Sequence, residues 1–154
     1  MRFEELTPGA TAEMAKTITE SDIALFAGIT GDFNPVHVDA VAAARSPFGG
    51  RIAHGMLSAG LISAAIAMRL PGPGSIYLSQ SLRFTRPVRI GDTVTAQIVV
   101  ADINLPKRRV TLTTVCRNQH GEIVLEGEAL VLVPAEAPAA RGDPARPLHD
   151  PAPA

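Results

Sequence analysis

Residues 29–39 concentrate side chains that could do acid–base chemistry, and their sequence is ITGDFNPVHVD. Asp32 and His37 stand five positions apart, and Pro35 restricts the backbone between them. A kinked loop with this spacing can direct both side chains at one water, so that Asp32 accepts a proton from the water and His37 gives one to a substrate. A structural interpretation is also open, because Asp caps helices and Asn stabilises turns in many loops.

The pair His54-Gly55 comes directly before a long apolar segment that predicts a helix. The first N–H groups of a helix have no intrahelical acceptor and carry partial positive charge. Because glycine lets a carbonyl oxygen come close, Gly55 could supply an oxyanion site. Gly55 can equally be an ordinary helix start, and we favour a structural role for His54.

The remaining reactive side chains stand in weaker contexts. Ser63 lacks the Gly-x-Ser-x-Gly surroundings of a hydrolase nucleophile, so it is interpreted as a small packing residue. Arg83, Arg86 and Arg89 could contact ligand phosphates or could form an ordinary solvated rim. Cys116 lies in a predicted strand on the core side and is expected to be inert.

We predict no metal site in this part of the chain. An EF-hand calcium loop also begins Asp-x-Asn, but it requires Gly at the sixth position and Glu at the twelfth, which here are His37 and Ala43. A site built from Asp32, His37, Asp39 and His54 matches no standard ligand spacing.

The composition is that of one ordinary domain and argues against several classes of function. The chain has 154 residues, 46% hydrophobic and 19% charged, with 15 acidic and 14 basic residues. This balance does not favour binding to nucleic acid or to an anionic membrane, and a single Cys excludes an internal disulfide framework. The most hydrophobic stretch, residues 56–70, is short of the ~20 residues that span a bilayer. The acidic start shows no signal-peptide pattern, so we expect a soluble, cytoplasmic protein.

The composition changes at Pro134. Residues 134–154 contain 6 Pro and 7 Ala, with Leu148 as their one larger aliphatic residue. Such a segment cannot bury enough apolar surface to offset the entropy lost on ordering. We therefore predict a folded domain over residues 1–133 and a disordered Pro/Ala-rich tail over residues 134–154.

Local patterns divide the domain into a helical first half and a strand-rich second half. Thr19-Glu-Ser-Asp22 has the pattern of a capping box that begins a helix, and Asp39 can cap a short helix over 40–45. Apolar and polar residues alternate along the second half, with turns at Gly91-Asp92 and His120-Gly121, which predicts antiparallel strands joined as hairpins. Loops are predicted at 30–38 and 46–54, and strands at 13–19, 75–86, 93–104, 108–118 and 122–133.

The segment Gly55–Leu70 predicts a buried helix. It is apolar on nearly every face, and many of its residues are Ala, Ser or Gly, which let surrounding backbone come close. An antiparallel sheet wrapped round one buried central helix would need this composition. The arrangement is the hot-dog fold, and the separation of helices from strands along the chain places the domain in the α+β class.

Three segments resemble the MaoC-like (R)-specific enoyl-CoA hydratases, also called type 2 hydratases. They are Phe26–His37 with Ala43, which corresponds to the family signature, then Arg51–Leu57 and Gly74–Val88. The resemblance runs over nearly all of residues 5–133 and leaves the tail outside. It implies a hot-dog fold, a homodimer and an acyl-CoA thioester substrate.

The resemblance also implies roles for single residues. Asp32 and His37 match the catalytic dyad, and Gly55 matches the residue whose N–H polarises the thioester carbonyl. Asn34 matches an orienting amide, and Ser63 matches a hydroxyl that helps to hold the dyad region. Arg83 and Arg86 match the less uniform positions that contact phosphate.

The reaction that the resemblance implies is reversible hydration of trans-2-enoyl-CoA to (R)-3-hydroxyacyl-CoA. It needs neither metal nor organic cofactor, because carbonyl polarisation and a positioned water suffice. The R product supplies polyhydroxyalkanoate synthesis in some relatives and fatty-acid metabolism in others. Two alternatives are a hot-dog acyl-CoA thioesterase, for which His37 would have no task, and a non-catalytic acyl-CoA-binding subunit, which would lack the dyad.

Overall fold

The computed structural model describes residues 2–135, in which five strands form one antiparallel sheet. The helices are α1 (Glu20–Thr30), α2 (Pro35–Val38), α3 (Ala40–Ala44) and α4 (Gly55–Met68), after a 3-10 turn at Phe3–Glu5. The strands are β1 (Thr11–Thr17), β2 (Ile76–Phe84), β3 (Thr93–Asn104), β4 (Arg109–Arg117) and β5 (Ile123–Leu132). The predicted α+β organisation is therefore present.

Short-range capping determines where the first helices begin and end. Thr19 and Asp22 form the predicted capping box at the start of α1, with the Thr19 side chain accepting from the Asp22 N–H. Gly31 ends α1 in the left-handed conformation, at φ 77°. Asp39 caps α3 by accepting from two backbone N–H groups. The predicted loop 30–38 is wrong in one respect, because Pro35 begins the helical turn α2.

The order of strands in the sheet is β1-β3-β4-β5-β2, and every neighbouring pair is antiparallel. The hairpins β3–β4 and β4–β5 agree with the prediction. A hairpin between β2 and β3 was also predicted and is wrong, because β2 pairs with β5 at the far edge of the sheet. The turn at Gly91 instead directs the chain back to β3, which lies beside β1.

Helix α4 packs one face against the sheet. Its Leu61, Ile62, Ala65 and Ile66 belong to the same core as the inward residues of β3, β4 and β5. The expectation that α4 is buried all round is wrong for the single chain. Its opposite face is exposed, along a stripe formed by Met56, Gly60, Ser63 and Ala67.

Strand β5 ends close to the predicted domain boundary, which stays a prediction. The N–H of Val133 donates to the carbonyl of Arg108, and Val133 is the last buried core residue among residues 2–135. The predicted tail, except Pro134 and Ala135, lies outside the described residues. Among residues 2–135, no helix combines the length and the hydropathy needed to cross a bilayer.

Candidate active site

The segment after α1 is held by local hydrogen bonds that place Asp32 and Asn34. The Asp32 N–H donates to Thr30 Oγ1 at 3.3 Å, and Asp32 Oδ1 accepts from the Asn34 N–H at 3.2 Å. Asn34 Oδ1 in turn accepts from the Val36 N–H at 3.3 Å and so caps α2. Asn34 therefore organises the turn, while the Asp32 side chain stays 51% exposed.

His37 is oriented by a backbone carbonyl. Its Nδ1 lies 2.9 Å from the Ile52 oxygen, and because a carbonyl can only accept, Nδ1 carries the proton. The Ile52 N–H donates to the Val36 carbonyl at 3.2 Å, which joins this strand-like segment to α2. The remaining ring nitrogen of His37, Nε2, is left for chemistry.

The fold gathers Asp32, His37 and His54 into one cluster. One carboxylate oxygen of Asp32 and one ring nitrogen of each histidine lie within 4.8 Å of one another, although the residues are spread over 23 positions of the chain. His54 is 2% exposed, and its Nε2 lies 2.9 Å from the Asp32 backbone oxygen. The His54 ring also lies against His37, with 3.9 Å between ring centroids, and against Phe26 at 4.8 Å.

In the same cluster, each histidine has one ring nitrogen held by a backbone carbonyl and one that is not. The Nδ1 of His37 and the Nε2 of His54 both carry protons that carbonyl oxygens accept. A protonated imidazole nitrogen has no lone pair to offer a metal. Binding a metal through either atom would therefore require breaking a hydrogen bond that orients its ring.

Gly55 is the first residue of α4 and lies under the ring of Phe84. A Cβ at position 55 would come within 2.6 Å of the nearest ring carbon of Phe84. Because the N–H of Gly55 is at the start of the helix, it has no intrahelical acceptor. The position therefore combines an available N–H donor with the close approach of the Phe84 ring.

A mainly apolar cavity of about 430 Å³ opens beside these residues. His37 and Gly55 lie in its wall, together with Phe84, Ser58 and Arg86. The Ser58 side chain is buried, and its hydroxyl has no partner within the described residues. The cavity can take a hydrocarbon chain next to a carbonyl held at Gly55.

The two arginines occupy different places. Arg86 borders the cavity, with its guanidinium 3.5 Å from the Glu122 carboxylate. Arg83 does not line this cavity, and its guanidinium pairs with Glu126 on the neighbouring strand. Arg89 donates to the Phe48 carbonyl, so it has a structural contact.

Ser63 does not reach the dyad within one chain. It lies eight residues along α4 from Gly55 and is exposed on the stripe defined above. No side-chain hydrogen bond joins it to Asp32 or His37 among residues 2–135. Cys116 is fully buried, and burial raises the pKa of its thiol to about 12, so it is protonated at neutral pH.

Sequence reasoning missed two residues that shape this site. Phe84 was assigned only to a strand, and Ser58 was one of many small residues of α4. The signal for Phe84 was the glycine it covers, which cannot be paired with its partner from the sequence. A serine at a core position of an apolar helix was the available signal for Ser58.

Comparison with known proteins gives one family description and several close relatives. The sequence profile described as “MaoC like domain” matches residues 5–120. The chain is 56% identical over 133 residues to an “(R)-specific enoyl-CoA hydratase” of Rhodospirillum rubrum, covering 86% of this chain and 92% of that protein. It is 52% identical over 132 residues to a “3-hydroxybutyryl-CoA dehydratase” of Methylorubrum extorquens, covering 86% and 83%.

Solved structures agree with these relatives. The unliganded R-hydratase PhaJ1 from Pseudomonas aeruginosa has a TM-score of 0.83 at 52% identity, covering 88% of this chain and 86% of that one. The (R)-hydratase from Aeromonas caviae, described as involved in PHA biosynthesis, also has a TM-score of 0.83, at 43% identity, covering 85% and 99%.

Proposed function

The chain belongs to the MaoC-like domain family, and we propose on that premise that it is an (R)-specific enoyl-CoA hydratase. Its fold is the hot-dog fold, as the sequence predicted. The reaction is the reversible addition of water to trans-2-enoyl-CoA, giving (R)-3-hydroxyacyl-CoA. The proposal assigns the chemistry to Asp32 and His37.

One observation carries this assignment. The Asp32 carboxylate and the His37 imidazole lie within 4.8 Å of each other, and His37 and Gly55 share the wall of the apolar cavity. An acid–base pair beside a backbone N–H suits a thioester whose alkene lies next to its carbonyl. Ring nitrogen Nε2 of His37 is the proton donor in this assignment, because Nδ1 is held by Ile52.

The addition proceeds with each proton accounted for. The N–H of Gly55 binds the thioester oxygen, which takes up negative charge as water oxygen bonds to C3. Asp32 accepts the water proton, and protonated His37 delivers a proton from Nε2 to C2. Transfer of the proton held by Asp32 to His37, which lies within 4.8 Å, restores both groups, so that one water is added and nothing is released. Both groups act from one loop and therefore one face of the alkene, which gives syn addition.

The binding roles follow the cavity. Its apolar walls suit the acyl chain, and Arg86 at its border suits a phosphate of the CoA moiety. Arg83 is a weaker phosphate contact, because Glu126 already pairs with it. Ser63 is proposed to act from the exposed stripe, where a second chain could bring it to a site.

Crotonyl-CoA separates hydration from thioester hydrolysis. We expect loss of the conjugated alkene absorbance without release of free CoA thiol, and chiral analysis should show the R alcohol. Thiol released at the rate of alkene loss would identify a thioesterase instead. An S product would contradict the proposed face of addition.

Two substitutions test the dyad. Asp32→Asn and His37→Gln should each lower the hydration rate by at least ~10²-fold, the usual contribution of a positioned acid or base. Asp39→Asn is the matched control, because Asp39 only caps α3 and Asn caps equally well. A folded Asp32 or His37 variant with near-normal turnover would remove that residue from the assignment.

A homodimer is part of the proposal. In a single chain the stripe of α4 is exposed to solvent. Edge strand β2 also exposes apolar side chains, since Ile76, Leu78 and Phe84 are each more than 40% exposed. An open apolar sheet edge favours pairing with a second strand. Such pairing would cover both surfaces.

We also propose a pathway, a cellular location and a domain boundary for this chain. The Aeromonas caviae relative is described as involved in PHA biosynthesis, and we propose that this chain likewise supplies (R)-3-hydroxyacyl-CoA for polyhydroxyalkanoate synthesis. The location proposed is the cytoplasm. The folded domain is proposed to end at Val133, where the last core contact is made.

A further inference from the structure

Packing alone does not explain the buried imidazole of His54. Its ring is 2% exposed, and its Nδ1 has no hydrogen-bond partner within the described residues. Burying an unpaired polar atom lowers stability, whereas an apolar ring of similar size would fill the same space without that penalty. The feature that only an imidazole provides here is the Nε2–H donor.

His54 also departs from the usual residue preference at the N-cap of a helix. Asn, Asp, Ser and Thr are preferred at the N-cap because their side chains accept from the first turn. Thr19, Asn34 and Asp39 all do this for α1, α2 and α3. At α4 the N-cap is His54, which makes no capping bond with its side chain. The first turn of α4 is thus left uncapped, and the ring turns towards Asp32.

The His54 ring contacts both proposed dyad residues. Its Nε2–H donates to the Asp32 backbone oxygen at 2.9 Å. Its ring packs against the His37 ring at 3.9 Å between centroids, with 31° between the ring planes, and Phe26 packs against it at 4.8 Å. His54 is absent from the cavity wall, so it is not placed to contact an acyl chain.

We propose that His54 is a positioning residue that fixes Asp32 and His37 relative to one water. The proposal rests on the proposed function. The hydrogen bond fixes the main chain of Asp32, whose carboxylate is otherwise exposed. The ring contact limits rotation of His37, whose Nδ1 is already held by Ile52. Together these contacts hold the Asp32 carboxylate and the His37 ring within 4.8 Å of each other, and a small misplacement of either group is expected to lower the rate.

Two variants separate the hydrogen bond from the ring. His54→Phe keeps an aromatic ring against His37 and removes the donor. His54→Gln keeps an N–H at the same number of bonds from Cβ and removes the ring. We expect His54→Phe to lower kcat on crotonyl-CoA by about 10- to 100-fold, with KM changed less than about threefold, because a misplaced group slows the step without touching the binding cavity. His54→Gln should recover at least part of that loss.

Exposed His120, on the turn between β4 and β5, supplies the matched control. His120→Phe and His120→Gln should leave kcat and KM unchanged. A folded His54→Phe variant with kcat within twofold of the unsubstituted protein would overturn the proposal. Equal losses in both His54 variants that parallel a drop in melting temperature would overturn it as well, because they would indicate a purely structural role.

The unsubstituted protein gives a test that does not depend on variants folding. Nitrogen-15 correlation spectra of the imidazoles should show His54 protonated at Nε2 and unprotonated at Nδ1, with slow solvent exchange of that proton. A His54 protonated at Nδ1 alone would contradict the proposed hydrogen bond to Asp32. If the unsubstituted protein does not hydrate crotonyl-CoA, the proposed function itself fails, and this spectrum still tests the contact.

Discussion

At the scale of single residues, the candidate site depends on backbone hydrogen-bonding groups as well as on side chains. Gly55 offers an N–H at the start of α4, and the ring of Phe84 occupies the space where a side chain would be. The Asp32 carbonyl accepts from His54, while its carboxylate faces the site. Residue identity here is determined by space and by hydrogen-bond partners, not by reactivity alone.

Gly55→Ala keeps the backbone N–H but forces the Phe84 ring to move. The new Cβ would lie 2.6 Å from that ring, well inside ordinary contact distance. We expect kcat/KM for crotonyl-CoA to fall by roughly tenfold or more, through displacement of Phe84 within the cavity wall. Addition of Phe84→Leu should recover part of the loss, with Phe84→Leu alone as the control. Full activity in Gly55→Ala would show that Phe84 moves freely.

At the scale of elements, local signals and long-range pairing have different roles. The capping box places the start of α1, and Gly31 ends it one residue before Asp32. The pairing of β2 with β5 places Phe84 over Gly55, and it depends on residues more than 40 positions apart. The active site thus needs both a local helix end and a distant strand pair.

Gly127 permits the close approach of β2 to β5. A Cβ on Gly127 would lie 1.8 Å from the Ser81 backbone oxygen, which cannot turn aside as a side chain can. We expect Gly127→Ala to lower the free energy of unfolding by about 1–3 kcal/mol or more, as overpacking does. Urea unfolding measures this change. Gly28→Ala in α1 has open space at its Cβ and should leave stability unchanged or raise it by up to ~1 kcal/mol.

The capping box of α1 predicts a pH-dependent contribution to stability. Hydrogen bonds from the Thr19 hydroxyl and N–H, together with Lys16, lower the pKa of Asp22 below its ordinary value of 3.8. A lowered pKa means that the ionised carboxylate stabilises the fold above that ordinary value, and that this contribution is lost as pH falls through the folded-state pKa. Asp22→Asn should therefore lower the melting temperature at pH 7 by more than it does below pH ~4.

Exposed Asp102 makes a suitable control for Asp22. Asp102→Asn should change the melting temperature little at either pH, because no capping hydrogen bond is lost. A melting-temperature difference for Asp22→Asn that stays constant on acidification would argue that shape, and not charge, matters at the cap.

At the scale of the whole molecule, one chain leaves several apolar surfaces uncovered, and the exposed stripe of α4 and strand β2 are two of them. The exposed stripe of α4 lies on a helix that is otherwise in the core, and β2 is an edge strand with both faces largely exposed. Ser63, whose position matches a site residue of the family, lies on the stripe and away from the proposed dyad. These features are what a second copy of the chain would complete.

Light scattering should give a mass near twice 16.1 kDa for the unsubstituted protein. Ala67→Glu places a charge on the exposed stripe, and burying an unpaired charge between two chains is strongly unfavourable, so this variant should be a monomer. Lys107→Glu, on the exposed turn between β3 and β4, should leave the mass unchanged. A stable monomer without substitution, at micromolar concentration, would contradict the proposed homodimer.

Removal of residues 134–154 tests the domain boundary. Because the removed segment has Leu148 as its one larger aliphatic residue, activity and melting temperature should be nearly unchanged. A fall of several degrees would show that the segment packs on the domain.

The sequence by itself determined the features that depend on neighbours a few positions apart. The capping box at Thr19, the cap at Asp39 and the start of α4 at Gly55 were all predicted, as were the four later strands to within two residues at each end. The segment around Asp32 and His37 was chosen as a candidate site because both residues lie close together in the sequence. These signals are local, so the sequence contains them completely.

Only the tertiary structure decided which distant elements meet. A period-two pattern shows that β2 has an inward and an outward face, but it does not distinguish β3 from β5 as the partner, because either would accept the same alternation. The apolar composition of α4 likewise predicted burial without showing that one face stays open in a single chain. His54 was interpreted as structural because nothing in the sequence connects it to Asp32, 22 positions earlier. That contact exists because segment 52–53 hydrogen-bonds between Val36 and Val88, and this long-range packing brings the start of α4 against the dyad.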